Sequence, residues 1–263
     1  MLYFAYIFLE KKMSAETEIN HEKLMELFGN VFNDVAGSMA IMMSYLGDQT
    51  GVYQAMDKLG SASVKDIAEE ADVNERYLLE WLSSNAGRGY VTYHDDTGEF
   101  SLTPEQAAVF ARESEPTCIQ GLVQGVVGQF VKEDVAVDVF KTGRGRPWGE
   151  HHECCFCGTE RFFRPAYAGH LLDEWIPAMD GVADKLTAGA KVADIGCGLG
   201  TSSMLMAEQY PNSTIHAYDF HGPSIEEAKR RAQEKGLTNL EFYVSDAGSI
   251  PQESYDLACI FDA

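Results

Sequence analysis

The sequence predicts an α/β protein in which a helical winged-helix domain precedes a doubly wound parallel sheet. Two observations carry this prediction. Strand and helix patterns alternate from Lys191 onward, which is the order of a parallel sheet covered by helices. The segment from Gly51 to Arg112 has the pattern of three short helices followed by a β-hairpin. A chain of 263 residues is long enough for two domains of this size.

Composition limits the partners that we expect. The formal net charge is −21, from 41 acidic and 20 basic residues, and no cluster of basic residues interrupts it. Such a chain repels phosphate backbones and anionic lipid headgroups, so we expect neither a nucleic acid nor a membrane partner. Six cysteines without regular spacing are typical of thiols in a reducing compartment. We therefore expect the protein to be located in the cytoplasm.

The N-terminal part is predicted in two pieces. Residues 1–20 are interpreted as a disordered leader or an upstream extension, because the apolar run from Met1 lacks the features of a signal peptide and Met13 is an alternative start. Residues 21–115 form the winged-helix domain. Apolar residues recur at threes and fours from Leu24 to Leu46, which predicts one or two helices with a core or dimer face. Further helices are expected at 52–59, 64–71 and 75–85, with hairpin strands at 90–93 and 99–102.

A winged helix raises the possibility of DNA binding, which the local charge argues against. Between Gly51 and Glu115 there are five basic and thirteen acidic residues. The presumed recognition helix carries Glu75 and Glu80 with only Arg76 to offset them, so it lacks a surface that attracts phosphates. A transcriptional regulator that senses a ligand remains the rival hypothesis.

Residues 116–180 are predicted to be a helical connector or lid, broken by a loop from Thr142 to Gly158. The loop contains two histidines and three cysteines that together suggest a zinc site. Their spacing lacks the paired C-x₂-C knuckles of tetrahedral zinc sites, so we expect no metal. This group consists of His151, His152, Cys154, Cys155 and Cys157.

A glycine-rich turn follows the first strand of the predicted sheet. The strand Lys191–Ile195 leads into the sequence DIGCGLG, and a helix is expected from Thr201. Gly196 and Gly198 leave room for a sharp turn and for close approach of a ligand to the backbone. A dinucleotide would favour the spacing G-x-G-x-x-G, whereas here the sixth position is Thr201, which argues against NAD.

Two further carboxylates end the next two strands. Asp219 closes the second strand, and Asp246, followed by Ala247, comes after the third. Ligands bind at the carboxyl ends of strands in open α/β sheets, so these residues are expected near the glycine turn. A carboxylate at Asp219 can accept hydrogen bonds from both hydroxyls of a ribose. Each feature alone is also compatible with a tight turn or a helix cap, and their order on three successive strands is what makes them specific.

With the segments PWGEHH (147–152), ERFFRPAY (160–167) and EWIPAMDGV (174–182), these motifs resemble the small-molecule class I methyltransferases that carry a winged-helix dimerisation domain. The resemblance is greatest to a bacterial group related to a mycobacterial methyltransferase that is sometimes described as a transcriptional regulator. It implies a Rossmann-like methyltransferase domain at 181–263, S-adenosylmethionine as cofactor and a homodimer. The cofactor-binding residues that we expect are Asp194, Gly196, Cys197, Gly198, Gly200, Asp219, Phe220, Asp246 and Ala247.

Roles follow for some of these residues. Asp194 is expected to face the ammonium group of the cofactor and Asp219 the ribose, while the resemblance implies that Asp246 and the amide of Ala247 contact the adenine. Methyl transfer from a sulfonium needs alignment and, for a hydroxyl or amine acceptor, a base. His151 and His152 are the candidate bases, although loop histidines are often structural. Tyr167, Arg164 and Trp175 are candidates for shaping the pocket.

The function predicted is methyl transfer to an oxygen, nitrogen or carbon of a small molecule. The resembling family continues beyond its fourth strand with a His-Asp pair and three more strands, whereas this sequence ends at Ala263. We therefore expect a C-terminally truncated chain whose sheet contains only the first four strands. A catalytically impaired homologue is the alternative.

Overall fold

The computed structural model describes residues 19–250 and 255–261, and the greater part of the expected leader lies outside this range. The chain divides into two compact units, one ending at Ala40 and the other comprising residues 41–263. A single helix, α1 (His21–Gln49), runs through the boundary. The periodicity between Leu24 and Leu46 therefore corresponds to one helix, which was one of the two predicted possibilities. In the first unit, α1 exposes the apolar side chains Leu27, Phe28, Val31, Phe32, Val35 and Met39.

The second unit begins with the winged-helix elements. Helices α2 (Val52–Leu59), α3 (Val64–Ala71) and α4 (Glu75–Ala86) precede an antiparallel hairpin of β1 (Thr92–His94) and β2 (Glu99–Ser101). Capping residues begin two of these helices: Ser63 accepts a hydrogen bond from the amide of Asp66, and Asn74 accepts one from that of Tyr77. The hairpin strands are shorter than expected. The core contains Tyr53, Met56, Ile67, Trp81, Leu82 and Phe100.

The sequence pattern did not reveal helix α5 (Pro104–Phe110), although its start carries a strong signal. Thr103 and Gln106 form a capping box, in which the side-chain oxygen of each residue accepts a hydrogen bond from the backbone amide of the other, and proline occupies the first turn. The connector then contains α6 (Gln120–Val131), α7 (Glu133–Thr142) and α8 (Glu153–Ala166). A π-helix, Tyr167–Trp175, continues α8.

The loop expected at 142–158 is shorter than predicted, because α8 begins at Glu153. His152 caps this helix through its Nδ1 atom, which accepts a hydrogen bond from the amide of Cys154. The first turn of α8 packs against α6 at very short range. A Cβ atom on Gly158 would lie 2.5 Å from the amide nitrogen of Gly125, so only glycine fits at position 158.

After α9 (Val182–Ala188), the expected alternation of strands and helices is confirmed. It comprises β3 (Lys191–Ile195), α10 (Thr201–Gln209), β4 (Thr214–Asp219), α11 (Gly222–Glu234), β5 (Leu240–Val244) and β6 (Leu257–Cys259). The four strands form one parallel sheet in the order β5-β4-β3-β6. Because β5, β4 and β3 are neighbours, the loops that follow them meet at one edge of the sheet.

Candidate cofactor-binding site

The glycine turn after β3 contains three glycines with positive φ: +73° at Gly196, +54° at Gly198 and +79° at Gly200. Side chains other than glycine rarely adopt this conformation, which explains the residue choice. The three positions differ in their surroundings. A Cβ atom on Gly198 would meet no protein atom within 4 Å, whereas one on Gly200 would lie 2.8 Å from the ring of Phe242. Gly198 therefore faces open space, and Gly200 permits close packing of the turn on β5.

Asp219 ends β4 beside the glycine turn. Its Oδ2 atom accepts a hydrogen bond of 2.9 Å from the amide of Gly198, and its Oδ1 atom accepts one of 2.8 Å from the amide of His221. These bonds hold the carboxylate at the edge of the sheet and leave a further lone pair on each oxygen. Asp219 is thus oriented to accept hydrogen bonds from a ligand as well as to fix the turn.

Asp246 follows β5 and begins a short 3₁₀ turn, Ala247–Ser249. Its carboxylate accepts hydrogen bonds from the amide and the hydroxyl of Ser249, and the hydroxyl bond in particular holds the pKa of Asp246 below its usual value. The aspartate is therefore ionised at neutral pH and fixed beside Ala247.

These three loops line one side of a cavity of about 550 Å³, a size within the range of ligand pockets. The opposite side comes from the connector, through α8 and the residues that flank it. The sheet contributes Ile195, Gly196, Cys197, Gly198, Leu199, Thr201, Ser202, Asp219, Phe220, Ser224, Ser245, Asp246, Ala247 and Phe261. The connector contributes Trp148, Phe156, Thr159, Glu160, Phe163 and Tyr167.

Two residues predicted for the cofactor site have other positions. Asp194, in β3, is buried beneath the first turn of α10, and its Oδ2 atom accepts hydrogen bonds from the hydroxyls of Ser202 and Ser203. It does not belong to the cavity lining, and its burial raises the pKa of the carboxyl group. Gly200 is also outside the lining, because its role is to pack against Phe242. The other seven predicted positions all line the cavity.

The two candidate catalytic histidines do not line the cavity either. His152 is the cap of α8. His151 packs its ring 5.3 Å from that of Trp148, and Trp148 is the residue that reaches the cavity. Partial burial lowers the pKa of His151, and the charge of Arg146 acts in the same direction. These contacts give both histidines partners outside the cavity lining, and their role as bases stays a prediction.

The cysteines near these histidines also have packing positions. Cys154 and Cys155 are buried at the start of α8, and Cys157 is exposed. Within residues 19–250 and 255–261, no three potential ligands among histidine, cysteine, aspartate and glutamate come together as a metal site. Tyr167 lines the cavity as proposed from the sequence, but Arg164 and Trp175 do not.

The connector residues are the part of the site that the motifs did not predict. Aromatic rings form most of this wall: Phe156 packs against Trp148 and against His221, with ring centroids 5.2 and 4.5 Å apart. Among the residues that the structure describes, Glu160 is the one charged side chain on the wall. The only sequence signal for it was its place in the ERFFRPAY segment.

Comparisons with known proteins agree with this architecture. Residues 37–112 match a family model described as an Rv2258c-like winged HTH domain, and residues 186–263 match one described as a methyltransferase domain. The aklanonic acid methyltransferase DauC of Streptomyces sp. (strain C5) is 39% identical over 72 residues, which are 26% of this chain and 33% of that protein. The chain spans about a third of the length of the curated relatives it matches.

Solved structures extend the comparison to both domains. The mitomycin 7-O-methyltransferase MmcR matches with a TM-score of 0.62 at 16% identity, over 90% of this chain and 71% of that chain. Human N-acetylserotonin methyltransferase, solved with S-adenosylmethionine, matches with a TM-score of 0.58 at 14% identity, over 93% of this chain and 71% of that chain. The chain therefore contains a winged-helix domain and a methyltransferase domain, and it shares its fold with these solved structures.

Proposed function

We propose that this protein binds S-adenosylmethionine in the cavity over β3, β4 and β5 and transfers its methyl group to an oxygen, nitrogen or carbon of a small molecule. The observation that carries the proposal is the convergence of the glycine turn, Asp219 and Asp246 on one cavity whose opposite wall belongs to the connector. The residues fit the cofactor: Gly198 opens the backbone toward the cavity, and two fixed carboxylates offer acceptors for hydroxyl and amino groups.

The chain's own contribution to the reaction would be alignment and exclusion of water. The cofactor supplies the activated methyl group and its leaving group. Asp219 and the glycine turn would hold the ribose, Asp246 and Ala247 the adenine, and the aromatic wall would enclose an acceptor and exclude water. An acceptor of small-molecule size agrees with the cavity volume, and the matched Streptomyces relative is named for aklanonic acid.

Calorimetric titration with S-adenosylhomocysteine tests the proposal, because this demethylated product of the cofactor keeps its adenine, ribose and amino-acid groups. We expect saturable binding at one site per chain. Titration with NAD serves as a control for nucleotide binding in general, and we expect no binding of NAD because the turn lacks the dinucleotide spacing. Absence of binding to S-adenosylhomocysteine would contradict the proposed function.

The alternative of a DNA-binding regulator receives no support from the presumed recognition helix. Arg76, the one basic residue of α4, forms an ion pair of 2.5 Å with Glu80 of the same helix. With Glu75 also on this helix, its net charge is negative, which offers little attraction to phosphate. Among the described residues, no helix is both long and apolar enough to cross a membrane. All six cysteines are free thiols, which supports the cytoplasm as the compartment.

We further propose that the protein is a homodimer and that the exposed apolar face of α1 contributes to the interface. Replacing Phe32 and Val35 together by glutamate should then yield a monomer, because four charges in the dimer would be buried against apolar side chains. Analytical ultracentrifugation measures the result. Asn30→Glu is the control, since Asn30 lies on the opposite face of the helix. A wild-type chain that sediments as a monomer would contradict the proposal.

A further inference from the structure

The position of Asp194 leaves one end of the cofactor without its expected partner. The amino-acid part of S-adenosylmethionine carries an ammonium group, and Asp194 was the residue expected to face it. Because Asp194 is buried beneath α10 and does not line the cavity, an acid that does line the cavity is a candidate partner for that charge. Three ionisable acids line the cavity, namely Glu160, Asp219 and Asp246, and the last two are proposed to hold the ribose and the adenine.

Glu160 lies at the appropriate end of the cavity. Its Oε1 atom accepts a hydrogen bond of 2.7 Å from the hydroxyl of Thr201, the first residue of α10 and the residue directly after the glycine turn. The carboxylate therefore stands beside the turn, and its side chain is only 10% exposed. A group buried this far meets a ligand in the cavity with little screening by solvent.

The hydrogen bonds of Glu160 leave capacity for one more donor. Oε1 accepts from Thr201 and, at 2.9 Å, from Nε of Arg164, while Oε2 accepts from Nη2 of Arg164 at 2.5 Å. An ionised carboxylate offers about four acceptor positions, so one remains on Oε2. Burial opposes ionisation, but the bonds from Arg164 and Thr201 and the charges of Arg164 and Arg231 outweigh it and lower the pKa of Glu160.

The ion pairs of Glu160 belong to a network that contains more acids than arginines. Glu160 belongs to a chain of contacts in which acids and arginines alternate, and the chain both begins and ends with an acid. It therefore carries one more carboxylate than guanidinium groups. In order, its members are Asp48, Arg161, Glu113, Arg164, Glu160, Arg231, Glu227, Arg230 and Glu234.

From this placement we propose that Glu160, on the connector helix α8, is the residue that binds the ammonium group of the cofactor. The proposal rests on the proposed function and adds a binding residue that lies outside the glycine motif. It also gives the connector a part in cofactor binding. The same helix that contributes to the aromatic wall around the methyl acceptor then also holds the amino-acid end of the cofactor.

The test compares two probes that differ in the amino-acid part. S-adenosylhomocysteine has the ammonium group, whereas 5′-methylthioadenosine keeps the adenine, ribose and thioether but lacks the whole amino acid. The substitution Glu160→Gln preserves the shape and removes the charge. Its carbonyl oxygen can still accept from Thr201 and from Nε of Arg164, whereas its amide group can no longer accept from Nη2 of Arg164. We expect it to weaken binding of S-adenosylhomocysteine by about 10- to 100-fold, the range for a charged hydrogen bond, and to change binding of 5′-methylthioadenosine by less than about twofold.

Removing this charge should not strand the arginines, because Arg164 also contacts Glu113 and Arg231 also contacts Glu227. Three variants complete the design. Glu160→Asp keeps the charge on a shorter side chain. It should retain part of the affinity for S-adenosylhomocysteine that Glu160→Gln loses. Thr201→Val removes the hydrogen bond to Glu160 but keeps the carboxylate. It should therefore weaken binding of S-adenosylhomocysteine less than Glu160→Gln does. Asp194→Asn should affect both probes equally, because Asp194 supports the turn from the core.

Each outcome of the titrations with the two probes either supports or overturns the role proposed for Glu160. A loss in Glu160→Gln that is confined to S-adenosylhomocysteine supports the proposal. An equal loss for both probes would show that Glu160 acts only through the shape of the turn, and unchanged binding of both would show that it does not contact the cofactor. Either result overturns the proposal while leaving the proposed function intact, whereas a wild-type protein that binds neither probe contradicts the proposed function itself.

Discussion

Replacing Asp219 by alanine is expected to lower the affinity for S-adenosylhomocysteine by about 100-fold or more. The substitution removes acceptors for the ribose and also the two hydrogen bonds that fix the amides of Gly198 and His221. Hydrogen bonds to charged groups contribute about 1.5–3 kcal/mol each, and the loss of two such interactions with the ligand corresponds to at least this factor. Calorimetric titration of the variant and the wild type measures the change.

Asp219→Asn is the matched control, because its carbonyl oxygen can still accept one hydrogen bond. We expect an intermediate affinity for this variant. Thermal unfolding of both variants separates loss of binding from loss of fold. If Asp219→Ala binds S-adenosylhomocysteine as tightly as the wild type, the assignment of the ribose to Asp219 is wrong.

Substitution of Gly158 by alanine is expected to cause a large loss of stability. The added Cβ atom would lie 2.5 Å from the amide nitrogen of Gly125 and 2.6 Å from the carbonyl oxygen of Gly121, both in the backbone of α6. Backbone atoms cannot move aside as a side chain can, so α6 and α8 must separate. Overpacking of this kind costs about 1–3 kcal/mol or more in the free energy of unfolding, which denaturant titration measures.

Gly125→Ala provides the matched control on the facing helix. A Cβ atom on Gly125 meets nothing within 4 Å, so the substitution should instead stabilise α6 by up to about 1 kcal/mol through helix propensity. Equal unfolding free energies for the Gly158 and Gly125 variants would contradict the close contact between the helices. Because α8 also forms a wall of the cavity, we expect Gly158→Ala to weaken cofactor binding as well.

The sheet and its loops were predictable from the sequence because their signals are local. The strand at Lys191–Ile195 and the helix at Thr201–Gln209 have the predicted bounds, since apolar runs and a glycine turn delimit them. The positions of Asp219 and Asp246 followed from one topological rule, namely that neighbouring parallel strands end at the same edge. For these elements, the local sequence pattern and the general topology of parallel sheets were sufficient to predict where the residues lie.

The roles of individual residues within the motif were less accessible. Sequence alone does not distinguish a glycine that opens the backbone to a ligand, such as Gly198, from one that permits packing, such as Gly200. It also does not show which way a residue at the end of a strand points. Asp194 turns toward the hydroxyls of Ser202 and Ser203, eight and nine positions later, because these residues begin the helix above it.

The connector side of the cavity depends on contacts between distant parts of the chain. Glu160 meets Thr201 across 41 positions, and the packing of α8 on α6 that brings it there depends on glycines in both helices. Neither the periodicity nor the spacing of residues indicates such contacts. For the same reason, His151 and His152 were candidates for the cavity until the cap of α8 and the ring of Trp148 accounted for them.

The most direct test of the central claim is a crystal structure of the protein with S-adenosylhomocysteine. The account predicts that the ligand lies in the cavity over β3, β4 and β5, with its ribose hydroxyls within hydrogen-bond distance of Asp219 and its adenine beside Asp246 and Ala247. A ligand bound elsewhere on the chain, or one bound in this cavity with its ribose away from Asp219, would contradict it.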